Sequence, residues 1–137
     1  MKTSVTLLCI LLCFCAIAQS DKYAVLFSQS EMSPTGGQPY NEFYWLNSNN
    51  AFLEKTNVVF LETGSYRFDI SAYLKSGSPD VELYIDGVSK GNISITSTSI
   101  QLYSLLVDEI SAGTHTVKIQ ISNFSAGANH CRVGLFY

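Results

Sequence analysis

Apolar and polar residues alternate with a period of two along most of the chain, and no stretch sustains the 3.6-residue period of an amphipathic helix. The clearest case is residues 65–74. There Tyr66, Phe68, Ile70, Ala72 and Leu74 share one face, while Ser65, Arg67, Asp69, Ser71 and Tyr73 share the other, the pattern of a half-buried sheet. Val81, Leu83 and Ile85 repeat it, and Asp86-Gly87 supplies a hairpin-type turn. Further strands are expected at 22–28, 52–61, 93–95, 100–107, 114–122 and 130–137. In the run 114–122, Val117, Ile119 and Ile121 face one way and Thr116, Lys118 and Gln120 the other. Residues 30–38 read as a loop because they carry Pro34, Gly36 and Gly37. The aromatic cluster Tyr40, Phe43, Tyr44, Trp45 precedes a polar turn at 47–50, and Asp108-Glu109 reads as another turn. Eight or nine strands without a helix predict an all-β jelly-roll sandwich of two antiparallel sheets.

The N-terminus follows a different rule. Lys2 precedes an apolar run from Val5 to Ala18 that ends in Ala16-Ile17-Ala18, the small-residue arrangement that signal peptidase accepts. Residues 1–20 are therefore expected to be a signal peptide, cut after Ala18 or Ser20, since the run is too short to span a bilayer comfortably. Residues 21–137 are expected to form one secreted domain with no membrane span. Loss of Lys2 leaves seven basic residues against eleven acidic ones, a net charge of −4. Such a chain offers no counter-charge to a phosphate backbone, which argues against nucleic acid as a partner.

Cysteine usage fits that compartment in an unusual way. Cys9, Cys13 and Cys15 leave with the signal, so Cys131 has no internal partner and the fold must stand on its core. Cys131, Val133, Leu135 and Tyr137 alternate along one face, which favours a buried thiol over an intermolecular bridge.

Little points to catalysis. The two histidines are His115 and His130, and His115 shares the phase of Val117 and Ile119, as a packing residue would. Asp80, Glu82 and Asp86 lie close enough in sequence to suggest a glycosidase pair, but they also read as a solvated strand face. Neither a nucleophile motif nor a metal-ligand spacing is present, so no enzyme, cofactor or metal is expected. Two glycosylation sequons occur, Asn92-Ile93-Ser94 and Asn123-Phe124-Ser125.

From Phe52 onward the chain resembles carbohydrate-binding modules of families 6 and 35, which are galactose-binding-like jelly rolls. The matching stretches are Phe52-Leu53-Glu54-Lys55 with Val58-Val59, then Glu62-Thr63-Gly64-Ser65-Tyr66. They continue with Val81-Glu82-Leu83-Tyr84-Ile85-Asp86-Gly87, Gly91 and Ile93, and end with Ser111-Ala112-Gly113-Thr114-His115-Thr116-Val117. The resemblance implies a sugar ring packed on aromatic faces in a loop cleft at one end of the sandwich, with its hydroxyls bonded to a polar side chain. Carried over, Trp45 takes the place of the first stacking aromatic and Asn129 that of the hydrogen-bonding side chain. Ile100 stands where the second aromatic belongs, and Tyr103 or Tyr40 would compensate. Trp45 also reads as a plain core residue. Val25 and Cys131 occupy the positions of two carboxylates that hold a structural calcium in such modules, so no calcium is expected there.

These features give a secreted, non-catalytic, lectin-like domain whose partners are polysaccharide or glycoconjugate glycans. The alternative is a structural or interaction protein with a decayed sugar site. A trimeric complement or tumour-necrosis-factor head is the alternative jelly roll, and it would make the protein an oligomer.

Overall fold

The computed structural model describes residues 29–136. The expected signal peptide and first strand, including Val25, lie outside the described residues. Within them a turn of 3-10 helix, Gln29–Glu31, precedes ten strands. These are β1 Ser33–Thr35, β2 Gln38–Tyr40, β3 Phe43–Leu46, β4 Phe52–Phe60 and β5 Gly64–Ser76, followed by β6 Asp80–Ile85, β7 Val88–Ser94, β8 Gln101–Ile110, β9 Gly113–Ile121 and β10 His130–Phe136. The first sheet runs β1-β4-β9-β6-β7 and the second β2-β3-β10-β5-β8. Every strand pairing is antiparallel. The chain thus adopts the all-β sandwich of two antiparallel sheets that its alternation predicts.

The core lies between the sheets and follows the period-two pattern. The first sheet contributes Leu53 and Phe60, Val81, Leu83 and Ile85, and Val117, Ile119 and Ile121; the second contributes Tyr44 and Leu46, Phe68, Ile70 and Ala72, Val107, Cys131 and Val133. Because side chains alternate across a strand, this inward set fixes the outward set, Phe43, Trp45, Tyr73 and Arg132 among it. In β4 the phase changes between odd-numbered Leu53 and even-numbered Val58 and Phe60. A register shift between Lys55 and Val58, with Asn57 at a φ of 59°, inserts the extra residue that allows all three to be buried.

Three sequence expectations are corrected. Residues 30–38 are not simply a loop: Ser33–Thr35 pairs with β4 and Gln38–Tyr40 with β3. Gly36 and Gly37, at φ values of 67° and 58°, carry the chain from one sheet to the other. A Cβ on Gly37 would lie 2.3 Å from the Trp45 carbonyl oxygen. Pro34 and Pro39 are tolerated because both strands are sheet edges, where a missing N–H breaks no ladder. This raises the count to ten strands among the described residues. Asp108-Glu109 is a bulge within β8, because the register jumps from Gly64–Ile110 to Tyr66–Val107 and Glu109 has a φ of 57°.

The Asp86-Gly87 turn has φ values of 51° and 78° and joins Ile85 directly to Val88, the two-residue hairpin with both central residues left-handed.

Candidate functional site

The outer face of the second sheet carries a row of large side chains. Arg132 on β10 is in register with Tyr73 on β5 and with Trp45 on β3, and Trp45 is in register with Gln38 on β2. The flanking residues Cys131, Val133, Tyr44, Leu46 and Ala72 are buried in the core, which sets Arg132, Trp45 and Tyr73 on the opposite face. Tyr40 and Phe43, paired with each other, form the next row. Phe43 meets Tyr73 edge to face with ring centroids 5.1 Å apart. Gly134 permits that contact, since a Cβ there would come within 2.8 Å of the Phe43 ring.

Arg132 is the centre of the row. Its guanidinium carbon stands 3.3 Å from the Tyr40 ring centroid, 5.1 Å from that of Trp45 and 5.5 Å from that of Tyr73. The cation is attracted by the ring quadrupoles, and the rings shield it from water. Only 7% of its surface is exposed. Nη1 donates to the Tyr73 hydroxyl at 2.6 Å. Nε has no partner, and neither do Trp45 Nε1 and His130 Nε2, although all three atoms are buried. The Trp45 and His130 rings meet at 5.9 Å, and His130 stacks on Phe124 at 5.7 Å with the ring planes 9° apart. Buried polar atoms are nearly always satisfied, so three unpartnered ones in one cluster single out this face among the described residues.

The structure brings two of the four sequence-predicted sugar-binding residues together. Trp45 and Tyr40 both contact Arg132 on the outer face, and Trp45 is only partly buried, outside the core. Asn129 sits at the start of β10, beside His130, but its amide is used as a brace. Oδ1 accepts from the Ser78 N–H at 3.0 Å, and Nδ2 donates to the Asn123 carbonyl at 2.8 Å. Tyr103 is not brought to this face. It packs on the core from β8, and its hydroxyl accepts from the backbone N–H groups of Thr96 and Ser97 at 3.1 and 2.9 Å. Ile100 is 59% exposed. Cys131 is fully buried, its thiol pushed up to about 12 by burial.

Sequence alone does not assign Arg132, Tyr73, Phe43, His130 or Phe124 to a sugar site, although Phe43 falls in the aromatic cluster and Tyr73 on an outer strand face. The available signal was phase, since Tyr73 lies on the outer face of residues 65–74 and Arg132 falls between inward Cys131 and Val133. Phase gives the face but not the neighbours across it.

The sequons differ in their surroundings. Asn92 is exposed on β7. Asn123 spends its whole amide: Oδ1 accepts from Asp80 N–H at 2.6 Å, and Nδ2 donates to the Ser78 carbonyl and to Asp80 Oδ2, both at 2.8 Å.

Another cluster resembles hydrolase geometry. His115 Nδ1 lies 2.6 Å from Asp86 Oδ2, and its Nε2 lies 3.4 Å from Ser111 Oγ. The same Nε2 is nearer the Ser111 carbonyl oxygen, at 3.0 Å, and a carbonyl only accepts. Both ring nitrogens thus face oxygen atoms, Nδ1 the Asp86 carboxylate and Nε2 the Ser111 carbonyl and hydroxyl, and which of them donates follows the ring's tautomer. His115 also packs edge-on against Phe60 at 5.4 Å, so the ring clamps two hairpin ends, beside a shallow cleft of about 170 Å³. Asp86 is held below its ordinary range by the Thr116 N–H first and by His115 second. Glu82 is likewise lowered, chiefly by the Ser89 hydroxyl and then by the Tyr84 hydroxyl. These carboxylates are bound to neighbours rather than poised opposite each other.

No family model matches the sequence, and no curated protein matches it closely enough to count as a relative. Solved structures do match. A CBM36 carbohydrate-binding module in complex with calcium and xylotriose is 17% identical, with a TM-score of 0.71, covering 83% of this chain and 98% of that one. A family 35 carbohydrate-binding module from Clostridium thermocellum is 14% identical, with a TM-score of 0.61 and coverages of 82% and 96%. The C-terminal CBM6 of a laminarinase from Zobellia galactanivorans is 12% identical, with a TM-score of 0.58 and coverages of 84% and 91%. At such identities the likeness is one of fold, and it is to the module fold that the sequence resembles.

Proposed function

We propose that the protein is a secreted, non-catalytic glycan-binding domain whose sugar platform is the outer face of the second sheet around Trp45, Tyr40 and Arg132. The observation that carries this reading is the partly exposed aromatic row with unpartnered polar atoms beneath it. A pyranose has an apolar C–H face that packs on an aromatic ring, and its hydroxyls need directed partners. Trp45 Nε1 and Arg132 Nε are unpartnered donors of this kind just under the ring surface, reached when the rings over them shift. A neighbour of the same fold, the CBM36 module, holds xylotriose, which supports the class of ligand. Lys2, the apolar run and Ala16-Ile17-Ala18 support secretion, with residues 21–137 as the mature domain. In this reading Asn129 shapes the end of the platform through His130, and Tyr103 serves the fold. The test is a glycan array probed with the mature protein and with Trp45→Ala. Binding confined to related glycans and lost in the variant supports the platform; undiminished binding by Trp45→Ala overturns it.

A second reading rests on β8. Leu102 and Leu106 face outward on this edge strand at 57% and 64% exposure, with Ile100 beside them. An apolar edge is a surface for protein association, as a structural or interaction protein would use. A blank array together with concentration-dependent self-association would select this reading.

A further inference from the structure

We infer that the glycan taken by this face is acidic, its carboxylate seated on the unpartnered edge of the Arg132 guanidinium once the Tyr40 ring over it moves aside. The inference rests on the glycan-binding reading above and adds the class of sugar.

Three observations lead to it. First, Arg132 is a buried cation without a counter-ion: among the described residues no carboxylate forms an ion pair with it. Asp69, the buried carboxylate of the same sheet, is held by Arg67 at 2.9 Å and by the Ser104 hydroxyl. Aromatic faces only partly offset the desolvation of a guanidinium. Second, the unpartnered donors have a defined geometry. Nη1 is engaged by Tyr73, whereas Nε has no partner and no described group bonds Nη2. The N–H bonds of Nε and Nη2 are parallel on one edge of the planar group, at the spacing of two carboxylate oxygens. A neutral sugar fills both positions only with two adjacent hydroxyls and no charge, whereas one carboxylate fills both and supplies the missing counter-charge. Third, Trp45 supplies an unpartnered indole N–H and a ring face beside that edge, so sugar ring and charged group have adjoining seats. Tyr40 covers the guanidinium from a three-residue edge strand and is itself 41% exposed, so it is the part of the cover that gives way to a ligand.

The test uses matched pairs on one array, followed by calorimetry on the hits: hexuronate oligomers against the corresponding hexose oligomers, sialylated glycans against their asialo forms, and sulfated glycans against unsulfated ones. The acid member of a carboxylate pair is expected to bind about tenfold more tightly, with the preference shrinking as salt is raised. The first two arms distinguish hexuronate from sialate as the source of the carboxylate. Arg132→Lys keeps the charge but loses the fork, and should reduce the preference to within about threefold. If that variant does not fold, the wild type still decides. Only Arg67 and Arg132 contribute arginine Nε–H resonances, so Arg67→Lys assigns them, and an acidic ligand must shift that of Arg132. Equal binding of acidic and neutral partners, or an unmoved Arg132 resonance, overturns the acidic assignment and leaves glycan binding intact. A preference for sulfate over carboxylate also overturns it. A blank array overturns this inference and the glycan reading together.

Discussion

The Tyr73 hydroxyl accepts a hydrogen bond from Arg132 Nη1 at 2.6 Å across adjacent strands, and this bond decides which edge of the guanidinium is left without a partner. Removing the acceptor leaves a buried cation with no hydrogen-bond partner among the described residues. Tyr73→Phe is expected to destabilise the protein by about 1.5–3 kcal/mol, the range for hydrogen bonds to charged groups, measured by urea unfolding. A loss under about 0.5 kcal/mol, the size of an ordinary surface change, would show that the bond does not hold Arg132 in place.

Acid sensitivity should come from the first sheet and its hairpins. Asp86 and Glu82 both have folded-state values below their ordinary ones. A depressed carboxylate adds stability above its unfolded-state value, roughly pH 4, and loses it as pH falls through the lower folded-state value. Unfolding free energy should therefore hold down to about pH 4 and then drop. Asp86→Asn should show a shallower acid limb, and an acid limb identical to the parent's would remove Asp86 from this account.

Cys131 is fully buried and its thiol is pushed up to about 12, so the nucleophilic thiolate is scarce at neutral pH. An aromatic disulfide reagent should leave the native mature protein unmodified and titrate one thiol after unfolding in guanidinium. Fast reaction of the native form, or a dimer that reducing agent splits, would contradict the buried assignment.

The two sequons should behave differently in a eukaryotic secretory host. A glycan on Asn123 would replace an N–H that the fold uses, whereas Asn92 is open to solvent. Peptide mapping is expected to find the modification at Asn92. Asn123→Ala should cost about 1–3 kcal/mol through unsatisfied partners, and Asn92→Gln should stay within about 0.5 kcal/mol of the parent. Full occupancy at Asn123 in a folded product would contradict this.

The fold was legible wherever alternation was long. Residues 65–74 and 114–122 place Ile70, Ala72, Val117 and Ile119 in the core by phase alone, and Asp86-Gly87 announces its own turn. What the sequence hid was short or irregular. Ser33–Thr35 and Gln38–Tyr40 carry prolines and are too brief to show a period, and the bulge at Glu109 has no glycine to mark it. The site was half legible: Trp45 and Tyr40 stand out as aromatics, but Arg132 meets them only through the pairing of β3 with β10, which no local pattern encodes. Asn129 looked available because its partners at Ser78 and Asn123 are distant or around a turn.

Trp45 is the only tryptophan, so a nitrogen–proton correlation spectrum carries one indole resonance, from the unpartnered Nε1 on the proposed platform. Titration with a glycan that scores on the array should move that resonance progressively to saturation, with a midpoint matching the calorimetric affinity. An indole resonance that stays fixed while calorimetry records saturable glycan binding would place the site elsewhere and contradict the central claim.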